Sequence, residues 1–165
     1  KLMPIVDQVL WDVGAGCGSV AIEWMRSHPR CMAVAIEKSK PRLKMIEQNA
    51  INLGVPLLKI VPGTLPDVLG NLALPDAIFI GGGLSNFKKK VSSSLLDLCW
   101  KLLKPGGRLV AHAVTFETEQ QLLSWHKKNG GDLTRLSISR ADSIGKFNGW
   151  KPLRPVTQYS VIKEY

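Results

Sequence analysis

Asp12-Val13-Gly14-Ala15-Gly16-Cys17-Gly18 is the segment of this chain best equipped to hold a ligand. Glycine at alternate positions removes the side chains that would keep a bound group away from the backbone. A helix starting just after such a loop offers unpaired N–H groups to a carboxylate or other anion. Nineteen residues after Gly18 stands Glu37, with Lys38 beside it. An acid there, at the end of a neighbouring strand, can accept both hydroxyls of a ribose. A dinucleotide fingerprint requires glycine at the first, third and sixth positions. Counted from Gly14, the sixth position is Ser19, and the third glycine comes one residue early at Gly18. Other chemistries lack their residues. Cys17, Cys31 and Cys99 form no CxxC pair and no Cys/His set with zinc spacing, and no catalytic triad or usefully spaced acid pair stands out. Three thiols, odd in number and far apart, predict a reducing compartment, the cytoplasm.

The elements needed to position the loop are legible around it. Val9 to Val13 is a short apolar run that stops at the glycines, a buried strand followed by a tight turn. Residues 19–27 read as a helix and Met32 to Ile36 as a second buried strand. Ser39 is placed to cap the next helix, with Pro41 in its first turn, and Leu43, Ile46, Ala50 and Leu53 recur at helical spacing before Gly54. Strands follow at 57–61, 77–80, 108–114, about 132–140 and 156–163, with helices at 88–103 and 117–129. The segment between the last two strands, holding Gly145, Gly149, Pro152 and Pro155, reads as a loop. Strand and helix alternate until two strands close the chain. That pattern predicts one α/β domain with a parallel sheet covered on both faces and an antiparallel pair at its edge.

Length and composition agree. The chain has 165 residues, 45% hydrophobic and 21% charged, enough for one domain with a real core. No apolar run approaches the roughly 18 to 20 residues of a membrane-spanning helix, and no secretory signal pattern opens the chain. The net charge of +9 is uneven. Residues 1–86 carry eight Lys/Arg and seven Asp/Glu, a balance of +1; residues 87–165 carry fourteen and six, a balance of +8. A polyanion, whether nucleic acid or a small polycarboxylate, should meet the second half, where Lys88-Lys89-Lys90 and Lys127-Lys128 stand.

The spacing Asp-x-Gly-x-Gly-x-Gly resembles motif I of the class I S-adenosylmethionine-dependent methyltransferases. Leu10 to Gly16 with Ala21-Ile22-Glu23-Trp24 resembles more narrowly the decarboxylating methylase domain of the cobalamin-pathway precorrin-6Y C5,15-methyltransferases. Asn49 to Gly54, Asp76 to Gly83, Gly106 to Glu117, and Pro155-Val156 with Gln158 extend the likeness over nearly the whole chain. It implies a Rossmann-like class I methyltransferase fold, with a seven-stranded, mostly parallel sheet, an antiparallel terminal strand and helices on both faces. It further implies S-adenosyl-L-methionine as cofactor and a reduced tetrapyrrole as substrate, methylated at a meso carbon and decarboxylated at a ring acetate. Gly14, Ala15, Gly16, Cys17 and Gly18 would wrap methionine and ribose, while Glu37, with Lys38, would hold the ribose. Gly63, Thr64 and Leu65 would line the adenine, although the family commonly has Asp where Thr64 stands. Gly81, Gly82 and Gly83 would floor the cleft between cofactor and macrocycle. His112 stands where close relatives tend to carry Asn.

Methyl transfer from a sulfonium needs alignment more than an acid or base, so no catalytic residue or metal is assigned. The substrate's carboxylates would meet Arg140 first and Arg154 second, because a guanidinium binds a carboxylate bidentately; Trp150 could cover the macrocycle. The partners implied are an anionic tetrapyrrole, no nucleic acid and no membrane, and further copies of the chain, a homo-tetramer. Relatives carry a helix before the first strand, so residues 1–165 are expected to be a single domain from the C-terminal part of a longer enzyme. Two alternatives remain: an RNA or protein methyltransferase of the same fold, and a nucleic-acid-binding module without catalysis.

Overall fold

A computed structural model describes residues 2–68, 70, 72–82, 84 and 94–164. Its central sheet is built from β1 (Val9–Val13), β2 (Met32–Glu37), β3 (Lys59–Pro62), β4 (Ala77–Ile80), β5 (Arg108–Ala113), β6 (Asp132–Leu136) and β9 (Val156–Ile162), in the order β3-β2-β1-β4-β5-β9-β6. Only β9 runs antiparallel to its neighbours, β5 and β6. The strand order reverses between β1 and β4, and in such sheets the ligand crevice lies outside the carboxyl ends at that point.

Side chains alternate across each strand and divide the core in two. Val9, Trp11, Val13, Val34, Ile36, Ile78, Ile80, Leu109 and Ala111 face α3 (Leu95–Leu102) and α4 (Phe116–Asn129), where Leu96, Cys99, Leu122 and Trp125 meet them. Leu10, Ala33, Ala35, Ala77, Phe79 and Val110 face α1 (Ser19–Ser27) and α2 (Lys40–Asn52), packing on Ile22, Trp24, Ile46 and Ala50. Both faces are therefore covered by helices. Capping explains two helix starts: Ser94 and Thr115 each form a reciprocal capping box with the residue three positions on.

The structure corrects the sequence reading in several places. The stretch expected as one strand over 132–140 breaks at Ser137 and Ile138, and the expected loop after it is a hairpin, β7 (Ser139–Ile144) with β8 (Phe147–Pro152), in its own two-stranded sheet. The third strand starts later than expected, at Lys59. Ser39 does occupy the N-cap of α2, but its side chain makes no capping bond, and Leu53 is exposed rather than core. The helix expected from residue 88 is described from Leu95; Lys88-Lys89-Lys90 and Gly83 lie outside the described residues.

Candidate active site

Strand register brings the candidate residues into line. Val13 is paired with Ile36 of β2 and Ile80 of β4, so Gly14, one residue on, is level with Glu37 and Gly81. Ile80 is paired with Ala111, which sets Gly81 level with His112, and His112 is itself paired with Gln158 of β9. One row thus crosses the carboxyl rim of the sheet: Glu37, Gly14, Gly81, His112, Gln158. By alternation the side chains of Glu37, His112 and Gln158 leave the sheet on the α1/α2 face. Adjacent strands are about 4.8 Å apart, so the row from Glu37 to His112 spans roughly 14 Å.

The glycines of this rim serve distinct purposes. Gly14 has φ +71°, and a Cβ on it would come within 2.9 Å of the Gly82 carbonyl oxygen, so the turns after β1 and β4 touch backbone to backbone. By contrast, a Cβ on Gly16 or Gly82 would meet nothing within 4 Å. Those two positions border open space, a cradle that side chains would fill. Gly18, also at positive φ, forms the N-cap of α1 without a side-chain bond of its own, and in the first turn Asp12 accepts from the Ala21 N–H.

Three side chains hold the loop in place. Buried Glu37 (5% exposed) accepts from the Gly16 N–H through Oε2 at 3.0 Å, and from the Lys38 and Ser39 N–H groups through Oε1, both at 2.9 Å. A carboxylate offers about four acceptor positions, so one remains on Oε2. The Arg42 guanidinium stands 3.8 Å from that same oxygen. Asn49 of α2 donates from Nδ2 to the Cys17 carbonyl at 2.9 Å. Asp12, 1% exposed, accepts from the Ala21 N–H of α1 at 3.1 Å. Burial is the main cause that lifts its carboxyl to about pKa 7; the Ala21 N–H pulls it down and the nearby Glu37 charge adds to the rise.

Most of the candidate residues gather here. Cys17 is exposed in the loop. The Gly63 N–H donates to the Glu37 carbonyl at 3.0 Å, placing residues 63–65 beside the acid. Thr64 is exposed and its Oγ1 donates to Asp67 at 3.4 Å, whereas Leu65 turns its side chain into the core. His112 stacks edge-on against Phe79, with ring centroids 4.9 Å apart, and its Nε2 donates to Gln158 Oε1 at 3.0 Å. Arg140 and Arg154 stand elsewhere. Arg140 is paired with Lys151 across the hairpin, and Arg154 lies on its return to β9. The residues that sequence reasoning passed over are Asp12 and Asn49 as holders of the loop, and Phe79. Asp12 and Asn49 were visible as members of motifs; Phe79 carried no signal beyond a buried strand.

This chain matches the family model of the precorrin methyltransferase domain over residues 1–163. It belongs to that family. Among relatives of this precorrin methyltransferase domain, it is 46% identical over 162 residues to the precorrin-6Y C(5,15)-methyltransferase [decarboxylating] of a Sinorhizobium species, covering 98% of this chain and 38% of the relative. The chain therefore spans about two fifths of the length of such relatives. It is 31% identical over 158 residues to the cobalt-precorrin-6B C(15)-methyltransferase (decarboxylating) of Salmonella typhimurium, covering 94% of this chain and 79% of the relative. The crystal structure of the C-terminal domain of precorrin-6Y C5,15-methyltransferase from Rhodobacter capsulatus superposes with a TM-score of 0.86 at 39% identity, covering 98% of this chain and 84% of that one. The fold expected from the sequence is thereby borne out.

Proposed function

We propose that residues 1–165 act as one methyltransferase domain that methylates a precorrin at meso carbon 15, using S-adenosyl-L-methionine, and removes carbon dioxide from a ring acetate, in cobalamin biosynthesis. The observation that carries this reading is the rim itself: Gly14 abuts Gly82 while Gly16 and Gly82 border open space. A cleft of that kind admits a cofactor on one side of the contact and a flat substrate on the other.

The residues present fit the cofactor. Gly14, Ala15, Gly16, Cys17 and Gly18, with the start of α1, would hold the methionine end, Glu37 the ribose, and Gly63 to Leu65 the adenine. Thr64, standing where the family commonly has Asp, is hydrogen-bonded to Asp67. When bound, S-adenosylmethionine supplies an electrophilic methyl group on a sulfonium. The chain contributes alignment, through a loop held by hydrogen bonds to Asp12, Glu37 and Asn49. The substrate, an anionic tetrapyrrole, would lie on Gly81 and Gly82 with His112 at its edge. Its outer carboxylates would meet the cationic second half, Arg140 and Arg154 first.

A homo-oligomer, a tetramer by family resemblance, belongs to the same proposal, supported by Ile144, Phe147 and Trp150 exposed on the hairpin. Three free cysteines suit the cytoplasm, and no described helix is long and apolar enough to cross a membrane. The test is competitive: protein is given methyl-labelled S-adenosylmethionine with precorrin-6B and RNA together. Label is expected in the tetrapyrrole alone; label in RNA and none in the tetrapyrrole would overturn the reading.

A further inference from the structure

The hairpin prolongs the outer edge of the sheet beyond the rim. Leu136 is paired with Val156, the Leu153 N–H donates to the Ile138 carbonyl at 2.8 Å, and Ser139 is paired with Pro152. β6 thus runs on into β7, and β8 into β9, as a two-stranded ribbon with one extra residue on the returning side, at Arg154 and Pro155. A bulge of that kind bends a ribbon. Arg140 is six residues beyond Thr134, which is level with Gln158 and so with Gly81. At about 3.3 Å per residue Arg140 stands roughly 20 Å out, three strands aside from the floor on which the macrocycle would lie. A guanidinium there does not reach a substrate on Gly81 and Gly82 of the same chain.

The hairpin covers nothing of its own chain. All its strand residues except Gly149 are exposed, and a two-stranded hairpin alone is marginal in water. By alternation one face carries Ile144 and Phe147 at the tip, and Arg140 and Lys151 toward the root. Lys151 Nζ bonds to Asp142 Oδ2 at 2.8 Å, whereas Arg140 has no hydrogen-bond or ion-pair partner among the described residues. A second bare apolar surface lies at the rim. Val114 and Phe116 follow β5 and are exposed, Phe116 by 88%. Phe116 opens α4 but takes no part in its capping box, which Thr115 and Thr118 form. Since β5 neighbours β4, this surface adjoins the turn holding Gly81 and Gly82.

We propose that the hairpin of one copy seats Ile144 and Phe147 on Val114 and Phe116 of a neighbouring copy, and so delivers Arg140 to a carboxylate of the neighbour's tetrapyrrole. The inference rests on the function and the homo-oligomer proposed above, and adds that each site is completed by another copy. One chain carries both the arm and the surface that receives it, so the exchange closes symmetrically. Phe116 and Phe147 bury roughly 150 to 250 Å² each when covered; with Ile144 and Val114, and with the contact made twice, the interface reaches the roughly 1,000 Å² of a specific one. Arg140 is four residues from Ile144 on the same face, about 13 Å, comparable with the breadth of a tetrapyrrole and its carboxylate arms.

The test is complementation between two impaired copies, each with its native flanking sequence. R140A should transfer methyl groups to precorrin-6B at least about tenfold more slowly, the loss of one hydrogen-bonded charge, and still bind S-adenosylhomocysteine. G82V should also lose transfer: among the described residues its side chain enters open space without backbone strain, and fills the substrate's floor. The two are co-expressed with different tags, and assemblies carrying both are isolated. Random assembly sets the intact hairpin of a G82V copy over the intact floor of an R140A copy at about a quarter of the sites. About a quarter of wild-type activity should therefore return. Activity no higher than that of R140A alone shows that Arg140 serves its own chain and overturns the proposal. So does full activity in R140A, or a wild-type protein that sediments as a monomer. Calorimetry with S-adenosylhomocysteine shows whether both variants are folded; should G82V fail to bind, G16A, disabled at the cofactor and checked by sedimentation, takes its place. If wild type transfers no methyl group, the proposed function itself falls, and the role of the hairpin with it.

Discussion

Asp12 is a carboxyl group that the fold buries beneath its own glycine loop, with a single N–H donor as compensation. Its pKa is pushed from 3.8 to about 7, so between those values the folded chain keeps a proton that the unfolded chain has lost. Stability from this group is greatest at low pH and falls as pH rises toward 7, by about 4 kcal/mol in all. Asn at this position can still accept from the Ala21 N–H and carries no charge. In urea unfolding, the stability advantage of D12N over wild type should therefore widen by about 2 to 3 kcal/mol between about pH 5 and about pH 8; a constant difference would show that Asp12 does not titrate in this range. Glu37 is a second buried acid, accepting from three N–H donors. E37Q turns one accepting oxygen into a donor facing another donor. Losing hydrogen bonds to a charged group should cost about 2 kcal/mol, read as a lower melting temperature, and weaken S-adenosylhomocysteine binding at least about tenfold by calorimetry. Both acids were legible as members of a motif. Their donors were not, because Gly16 and Ala21 reach them only once the chain has folded back.

The glycine loop and the turn after β4 are a single structural unit, and two substitutions separate its requirements. In G14A the new methyl meets the Gly82 carbonyl oxygen at 2.9 Å, and backbone cannot rotate away as a side chain could. Melting temperature and cofactor binding should both be lost. G16A shares the positive φ but has open space before it, so it should fold at a cost of about 1 to 2 kcal/mol and still fail to bind S-adenosylhomocysteine. Normal binding by G16A would place the cofactor elsewhere. The sequence revealed the loop because glycine spacing is local. It could not reveal the Gly14–Gly82 contact or the row through His112, since both depend on which strands pair and in what register. The hairpin was missed for another reason: nearly all its residues are exposed, so no buried face repeats every second residue. Its one local sign was the two-residue turn Gly145-Lys146, with Gly145 at φ +60°.

For the molecule as a whole, the hairpin stands apart from the central sheet. Phe147 and Trp150 are 79% and 77% exposed, and Arg140 faces Lys151 across it, with Lys151 Nζ bonded to Asp142 Oδ2 at 2.8 Å. If it joins copies of the chain, F147S/W150S should sediment as a monomer where wild type sediments as a tetramer, with S-adenosylhomocysteine binding retained; a wild-type monomer would refute the assembly. The charge division read from the sequence, +1 before residue 87 and +8 after it, follows the fold: the first half supplies the cofactor row from Glu37 to Gly81, and the second supplies His112, Gln158 and the hairpin cations. Methyl transfer and decarboxylation on one substrate leave one product. Precorrin-6B incubated with the protein and S-adenosylmethionine, then weighed by mass spectrometry, should gain one methyl group and lose one carbon dioxide in the same molecule. A tetrapyrrole of unchanged mass would contradict it.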